Sequence, residues 1–478
     1  MEKKMRKPNA VEAFSTVIIL MVLIVFAIQM GVNTIPMLII ATMWCMIVGW
    51  RCGYTYDDLM KAVMERLGGL MEVILIIFSI GIFIAAMVYS GTIPTIIYYL
   101  IGVINPSFMI VLSFLITGIV AVLIGTSWGT AGTVGIVMLS IASSMGVSMP
   151  MVAGAVISGS HVGQLLSPMS DTTNVAANLA GTDAMSLIKR ISYYSVPVVV
   201  ISLILYTVLG FTGGASGANV EEAMLIREEI KSVFNVNPIV ILPMVLVFVL
   251  TFMKQPIIKN LIVSALVAVI FGAVFNGYSV WRGLDALYNG FDFQTVTGLD
   301  PAAFSDVFLN LVNRGGVLGM ISSALLAIAA TCYGGVMIKI GSVNVIAEIL
   351  FAKVKSRVGL VFSSVAVSGI VVALTTSAYL AILMASDLFK EKFHEAGMDD
   401  NDLISSCICA SSQFVTCVPW VDTAIYLASI SGVATMTSLP FNFFCWGNAV
   451  MAIILAVFGI GFANGKKKKA ASIAAEAN

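Results

Sequence analysis

Charge is what this 478-residue sequence has least of: Asp, Glu, Lys and Arg make up 10% of it, against roughly 25% in an average soluble domain. So few charges cannot coat several water-soluble domains of this total length, which excludes a soluble enzyme. Lys+Arg and Asp+Glu balance at 25 each, so no basic surface recommends a nucleic acid partner, and no helix-turn-helix or zinc-finger pattern occurs. Histidine is reduced to His161 and His394, without Ser/His/Asp or metal-ligand spacing around either, which removes the common routes to hydrolytic chemistry. No GK[ST] lysine motif exists, so this chain alone does not drive transport with ATP. The seven cysteines are an odd number without CxxC spacing and lie mostly inside apolar runs, where thiols behave as small hydrophobes. No disulfide framework, metal cluster or cofactor is expected.

What the sequence has instead is apolar length, 59% hydrophobic residues with a mean hydropathy of +1.02. Runs near 13–30, 34–50, 69–90, 107–124, 131–147, 149–166, 192–211, 238–253, 257–276, 316–340, 358–374, 376–389, 403–418 and 441–462 can each cross or partly cross a hydrocarbon core of about 30 Å. Several are short or rich in Gly and Ser, so the expectation is an all-α polytopic membrane protein with about 10–12 membrane segments, some interrupted. Lipid is its surrounding partner. The first run is too long for a signal peptide and lacks a small-x-small cleavage site, so it reads as the first span. Lys3, Lys4, Arg6 and Lys7 before it, and Lys466 to Lys469 after the last run, place both termini in the cytoplasm, at the cytoplasmic (plasma) membrane. Arg51, Lys61 and Arg66 put the turn after the second run on the same side.

The charges inside the apolar runs are few and placed. Between residues 67 and 182 there is no Lys or Arg, and the acids are Glu72 and Asp171; between 403 and 465 the charge is Asp422 alone. A carboxylate at the centre of an inserted helix costs about 2.5–3.5 kcal/mol on insertion scales, so it is retained for a function. The two contexts match: Pro168-Met169-Ser170-Asp171-Thr172 and Pro419-Trp420-Val421-Asp422-Thr423 are both P-x-x-D-T, 251 residues apart. Upstream, Thr126-Ser127 and Thr376-Ser377 form a second matched pair, 250 apart. The chain therefore reads as an internal repeat. Its expected parts are N-terminal spans (1–66), a first transport repeat (67–212), a polar linker (213–237), further spans and a polar water-facing loop (238–315), a second transport repeat (316–465) and a basic tail (466–478).

Pro168 and Pro419 lack an N–H and break their helices, freeing the carbonyls of Gln164 and Val415, which is tolerable at membrane depth only along a polar cavity. Around them stand Ser167, Ser170, Asp171, Thr172, Thr173 and Asn174 in the first copy, and Ser411, Ser412, Gln413, Thr416, Asp422 and Thr423 in the second. Carboxylate, hydroxyl, amide and backbone oxygens without thiolate or imidazole pairing make a set for a hard cation. The expected ion is Na⁺, held around Asp171, with H⁺ competing at Asp171 and Asp422. Gly125-Thr-Ser-Trp-Gly-Thr130 reads as a hairpin tip, with Thr375-Thr376-Ser377 its equivalent; small-residue helix packing is the competing reading of both. His161 stands ten residues before Asp171, as a proton carrier or as a neutral histidine bonded between helices. Lys339 and Arg314, at the ends of their run, are expected to snorkel.

The strings Gly125-Thr-Ser-Trp-Gly-Thr-Ala-Gly-Thr-Val-Gly135, Gly154-Ala-Val-Ile-Ser-Gly159 and Ser167-Pro-Met-Ser-Asp-Thr-Thr-Asn174 closely resemble the NhaC family of sodium/proton antiporters, as do Ala180-Gly-Thr-Asp183, Tyr379-Leu380, Glu391-Lys392 and Pro419-Trp420. The resemblance runs from about residue 67 to 450. It implies two inverted repeats, each with a re-entrant hairpin and a discontinuous helix meeting near the midplane, and a homo-oligomer. Carried over by position, it implies ion-site roles for Thr126, Ser127, Ser167, Ser170, Asp171, Thr172, Thr173 and Asn174. The repeat adds Thr376, Ser377, Asp422 and Thr423. The family's usual Gly-Asp-Lys before the Ser-Pro is replaced here by Gly163-Gln164-Leu165-Leu166. Function then reads as sodium-coupled antiport, Na⁺ against H⁺ by alternating access. The alternative is a sodium- or proton-coupled transporter of an organic acid, of malate/lactate type, or of an amino acid. A carboxylate substrate calls for a base, and the sequence offers none inside the membrane runs, which favours a cation.

Overall fold

The computed structural model describes residues 5–101, 103–215, 220–351 and 354–460. Lys3, Lys4 and Lys466 to Lys469, on which the expected placement of the termini leans, lie outside the described residues. Helix is the regular structure throughout, and no strand occurs among the described residues.

Two apolar helices, α1 (Ala10–Met30) and α2 (Thr34–Arg51), precede α3 (Tyr56–Tyr89). The start of α3 is set by a capping box in which the Thr55 and Asp58 side chains satisfy each other's backbone N–H groups. Its charged first turns therefore belong to the helix and not to a loop. Next come α4 (Thr92–Ile101), α5 (Met109–Ile124) and α6 (Ser127–Thr130), which passes through a π-helical turn at Ala131–Gly135 into α7 (Ile136–Ser144). Then follow α8 (Met149–Leu166), α9 (Asp171–Leu179) and α10 (Ala184–Leu209). The connecting region holds α11 (Val220–Val233), α12 (Leu242–Phe252), α13 (Ile257–Asn276), α14 (Val280–Asn289), α15 (Phe293–Thr297) and α16 (Asp306–Val312). The second half comprises α17 (Gly316–Ile340), α18 (Ser342–Phe351), α19 (Arg357–Thr375), α20 (Ala378–Glu395), α21 (Asp400–Phe414), α22 (Asp422–Ser431), α23 (Thr435–Ser438) and α24 (Phe443–Phe458).

The order of elements repeats. A long helix and a short one (α3 and α4; α17 and α18) lead to two helices joined at a tip (α5 and α6; α19 and α20). A helix broken before its acid follows (α8 and α9; α21 and α22), and then a closing helix (α10; α24). Among the described residues, eight helices are long and apolar enough to cross a membrane, or up to ten if each of two pairs bent by 97° and 82° is one span. The chain is a multi-pass membrane protein. The runs expected near 131–147, 149–166, 376–389, 403–418 and 441–462 are not among those spans, because α7, α8, α20, α21 and α24 are too short or too polar. The broken helices are instead the innermost: Val152 to Gly163 of α8 and Asp402 to Gln413 of α21 are buried without interruption.

Close approach of the long helices depends on glycine. A Cβ on Gly81 of α3 would strike the carbonyl of Gly316, one on Gly315 would strike the backbone of Ala85, and one on Gly335 would meet Ala62 and Val63 at 3.3 Å. Where lipid is the solvent, such small-residue contacts let backbones pack by dispersion. Gly159 and Gly163 of α8 lie in the same way against Phe114, Thr117 and Ala121 of α5.

The connecting region is more structured than the sequence led us to expect. Glu229 of α11 accepts from the Ser305 N–H (2.6 Å) and hydroxyl (2.8 Å), and the Arg227 guanidinium stands over the Tyr98 ring at 4.5 Å. The stretch 282–314, expected as a loop, is a set of short helices over a buried cluster of Phe291, Phe293 and Phe308, with Asp285, Asp292, Asp300 and Asp306 exposed. Arg314 does not snorkel: it donates to the Leu311 carbonyl (2.8 Å) and to Ser140 of α7 (3.0 Å).

Candidate ion and substrate site

Both tips are built by the same backbone turn. After α5, Gly125 takes the left-handed conformation (φ +84°), and Thr126 is extended (φ −129°, ψ 127°) and caps α6, accepting from the Gly129 N–H. After α19, Thr376 is left-handed (φ +57°), and Ser377 is extended (φ −128°, ψ 115°) and caps α20, accepting from the Leu380 N–H. The structural equivalents are thus Gly125 with Thr376 and Thr126 with Ser377. This corrects the Thr-Ser match by one residue and gives the tips the same 251-residue offset as the acids. Thr376 does without glycine, at about 1 kcal/mol or more of backbone strain.

The tips and breaks converge on a cavity of ≈ 380 Å³. From the first half it is lined by Thr126, Ser127, Ser170, Asp171 and Thr172, and from the second by Thr376, Ser377, Asp422 and Thr423. Three expected residues are not on its wall. Ser167 is fully buried and accepts from the Met169 N–H (3.2 Å), Thr173 donates to the Gln164 carbonyl (2.7 Å), and Asn174 donates to the carbonyls of Pro168 (3.0 Å) and Ser170 (2.8 Å). They shape the break. The Gln164 carbonyl is not left for an ion, since the Ser170 hydroxyl (2.8 Å) also donates to it. His161 is wholly buried off the cavity, its Nδ1 3.0 Å from the Ile157 carbonyl. Of the further oxygens expected at the second break, Ser411, Ser412, Gln413 and Thr416 are buried off the wall as well.

The two acids differ in setting. Asp171 is exposed at the cavity mouth. Asp422 is half-buried; its Oδ1 accepts from the Thr423 N–H (2.6 Å) and hydroxyl (3.2 Å), leaving Oδ2 without a protein partner among the described residues. The breaks are held to their own tips, and the helix after the second break is held to the first tip. Met169 fills the space beside Gly125, where a Cβ would meet it at 2.6 Å, and Trp420, the equivalent residue, donates its Nε1–H to the Ala373 carbonyl (2.7 Å). Tyr426 of α22 stacks on Trp128 (centroids 4.4 Å apart, planes 3° apart) and donates to the Trp128 carbonyl (2.6 Å).

Sequence reasoning passed over Arg66. It was assigned to a turn between spans, yet the early start of α3 carries it onto the cavity wall, with Gly69, Leu70 and Val73 on the same helical face. Its guanidinium donates to the Thr375 carbonyl at the second tip (2.7 Å) and acts electrostatically on Asp422 without a direct ion pair. The expectation that the membrane runs offer no base is therefore overturned. The signal was the spacing 66, 69, 70, 73, which continues the helix period upstream of the apolar run. Thr331 of α17, Tyr379 of α20 and Gln164, whose Nε2 donates to the Thr172 hydroxyl (3.1 Å), also line the cavity.

A family model described as the Na⁺/H⁺ antiporter family matches residues 162–460. The chain belongs to that family. It is 32% identical over 416 residues to the malate-2H(+)/Na(+)-lactate antiporter of Bacillus subtilis, covering 87% of each chain. It is 30% identical over 464 residues to an uncharacterized Na(+)/H(+) antiporter of Haemophilus influenzae (97% of this chain, 98% of the relative). It is 31% identical over 415 residues to the Na(+)/H(+) antiporter NhaC of Alkalihalophilus pseudofirmus (87% and 86%). This family member is a transporter, and the NhaC resemblance read from its motifs stands.

Proposed function

We propose that this transporter exchanges Na⁺ for H⁺ across the plasma membrane, with both termini cytoplasmic, by alternating access between two inverted halves. The observation that carries the proposal is the meeting of Asp171 and Asp422, from two helix breaks, with two hydroxyl-bearing tips in one cavity. Na⁺ is the cargo. Asp422 Oδ2 and Asp171 supply charge, and Thr126, Ser127, Thr172, Thr376, Ser377 and Thr423 supply neutral oxygens of the kind a hard cation takes. A carboxylate enclosed by helices is held charged while a cation neutralises it, so departure of Na⁺ and arrival of a proton are linked at the same oxygen. The tips begin helices whose N–H groups polarise the ends of the cavity, and the breaks supply hinges for rocking one half on the other.

The test is flux in proteoliposomes containing the purified full chain. ²²Na⁺ uptake should follow an outward proton gradient and collapse when the gradient is dissipated; uptake indifferent to the gradient overturns the proposal. A second reading, in which an organic solute shares the cavity, is favoured by Arg66 on its wall and matches the kind of exchange named for the Bacillus subtilis relative.

A further inference from the structure

The packed pair α3 and α17 carries one arginine at each end of its crossing. At one end, a Cβ on Gly335 would stand 3.5 Å from the Arg66 Cβ; at the other, Gly315 and Gly316, next to Arg314, lie against Ala85 and Gly81. Under the 251-residue offset shared by the tips and the acids, Arg66 answers to position 317, and Arg314 stands three residues before it. Neither guanidinium has a carboxylate within ion-pair distance among the described residues. Each reaches instead an arm of the opposite half. Arg66 donates to the Thr375 carbonyl at the second tip (2.7 Å), and Arg314 donates to Ser140 (3.0 Å) on α7, the helix that runs on from the first tip. The two contacts lie at different levels: Thr375 adjoins the turn at Thr376, whereas Ser140 is 15 residues past the equivalent turn at Gly125.

In a carrier with inverted halves the opposite state interchanges the surroundings of equivalent residues, so the repeat names the contact that each arginine lacks. The equivalent of Thr375 at the first tip is Ile124, whose carbonyl ends α5 and, like others at a helix end, has no partner within its helix. The equivalent of Ser140 in the second arm is Glu391 of α20, which is exposed and without an ion pair among the described residues. We propose that the two arginines exchange partners during transport: in the opposite state Arg314 donates to the Ile124 carbonyl and Arg66 pairs with the Glu391 carboxylate. The inference rests on the alternating access proposed above and names the contacts that distinguish its two states. A guanidinium then stands at the cavity in either state, and the acid it acts on changes from Asp422 to Asp171. That positive charge offsets the cost of an enclosed carboxylate once Na⁺ has left. Glu391 becomes a positioning residue, since a charge-assisted partner in place of a carbonyl draws Arg66 toward the opposite state.

The test is proximity in the full chain, with its seven native cysteines replaced, in proteoliposomes under opposed Na⁺ gradients. A short bifunctional thiol reagent should join Arg314→Cys to Ser140→Cys under one gradient. Under the reverse gradient it should join Arg66→Cys to Glu391→Cys, and Arg314→Cys to Ile124→Cys. A second measurement keeps both arginines and takes Met169→Cys, at the exposed first break, as the sole thiol. Glu391→Gln should speed its reaction with a membrane-impermeant reagent by up to about tenfold and Ser140→Ala should slow it, because each variant weakens one arginine contact in one state only. Rates that move in the same direction, or not at all, overturn the proposal. A 66–391 pair that stays unlinked under both gradients, while the 314–140 link comes and goes, overturns the exchange and leaves alternating access standing. Links that exchange in a protein whose ²²Na⁺ flux ignores the proton gradient support the exchange and refute the sodium/proton reading.

Discussion

Removing one negative charge at a time from the cavity should reveal which break holds the ion more tightly. The variants are Asp422→Asn and Asp171→Asn, each close in shape to its parent and each keeping one amide oxygen. Two unit charges about 4 Å apart attract by about 4 kcal/mol at an effective dielectric of about 20, and by about 1 kcal/mol in water. Asp422 is half-buried, bonded to the start of its own helix, and belongs to the first regime; Asp171 is exposed at the mouth and belongs closer to the second. The amide dipole that replaces the carboxylate recovers part of the loss. Na⁺ affinity should therefore fall by about 100-fold for Asp422→Asn and by less than about tenfold for Asp171→Asn, at 1.4 kcal/mol per decade. Sodium-dependent thermal stabilisation measures both affinities, and ²²Na⁺ flux shows whether exchange follows them. Equal losses, or a larger loss at Asp171, would refute the argument from burial and restore the expectation that Na⁺ is centred on Asp171.

The other predictions concern coupling, packing and the altered motif. Tyr426→Phe keeps the stack on Trp128 and loses the 2.6 Å hydrogen bond, so it should cost about 1 kcal/mol of unfolding free energy, whereas Tyr426→Ala should cost about 3–5. Gly163→Ala drives a methyl into the Ala121 backbone and should destabilise by about 1–3 kcal/mol, while Gly319→Ala, with nothing within 4 Å, should be neutral or mildly stabilising; denaturation of the two side by side tests the packing of α5 on α8. Gln164→Asp places a third carboxylate on the cavity wall and should steepen the pH dependence of Na⁺ flux while weakening any organic ligand held by the amide. Unchanged profiles in both assays would remove Gln164 from the transport path.

Much of the architecture was legible because the bilayer imposes it: apolar length gave the spans, and isolated acids beside prolines gave the breaks. The tips were legible as a motif but not in register. The Thr-Ser dipeptide matched by identity, whereas the backbone matched by conformation, and a left-handed Thr376 in place of Gly125 concealed the one-residue shift. Arg66 was missed for a related reason, since a dense group of charges at residues 57–66 looks like a turn until the Thr55–Asp58 capping box is seen to start the helix before it. Ser167 and Thr173 were chosen for hydroxyls that the break itself uses, and Asn174 turns its amide N–H groups to the Pro168 and Ser170 carbonyls. Composition cannot tell a hydroxyl that lines a cavity from one that satisfies the neighbouring backbone.

The unequal settings of the two breaks carry a prediction about mechanism. Met169 and Trp420 occupy equivalent positions in the repeat, yet Met169 is 47% exposed and Trp420 6%. Asp171 and Asp422 differ in the same sense. Under the alternating access proposed above, such a difference between equivalent breaks follows from the protein having rocked toward one side. In a carrier with inverted halves, the opposite state interchanges the two environments. A thiol at the first break, Met169→Cys with the seven native cysteines removed, should react readily with a membrane-impermeant reagent in the state described here. The native Cys417, kept as the sole thiol at the second break, should react slowly in that state. Reversing the Na⁺ gradient should slow the first and quicken the second, with the reagent acting from opposite faces of the membrane. Rates that rise and fall together would mean that both breaks open to one compartment, and the duplication would then be parallel, without the inversion that alternating access by rocking halves requires.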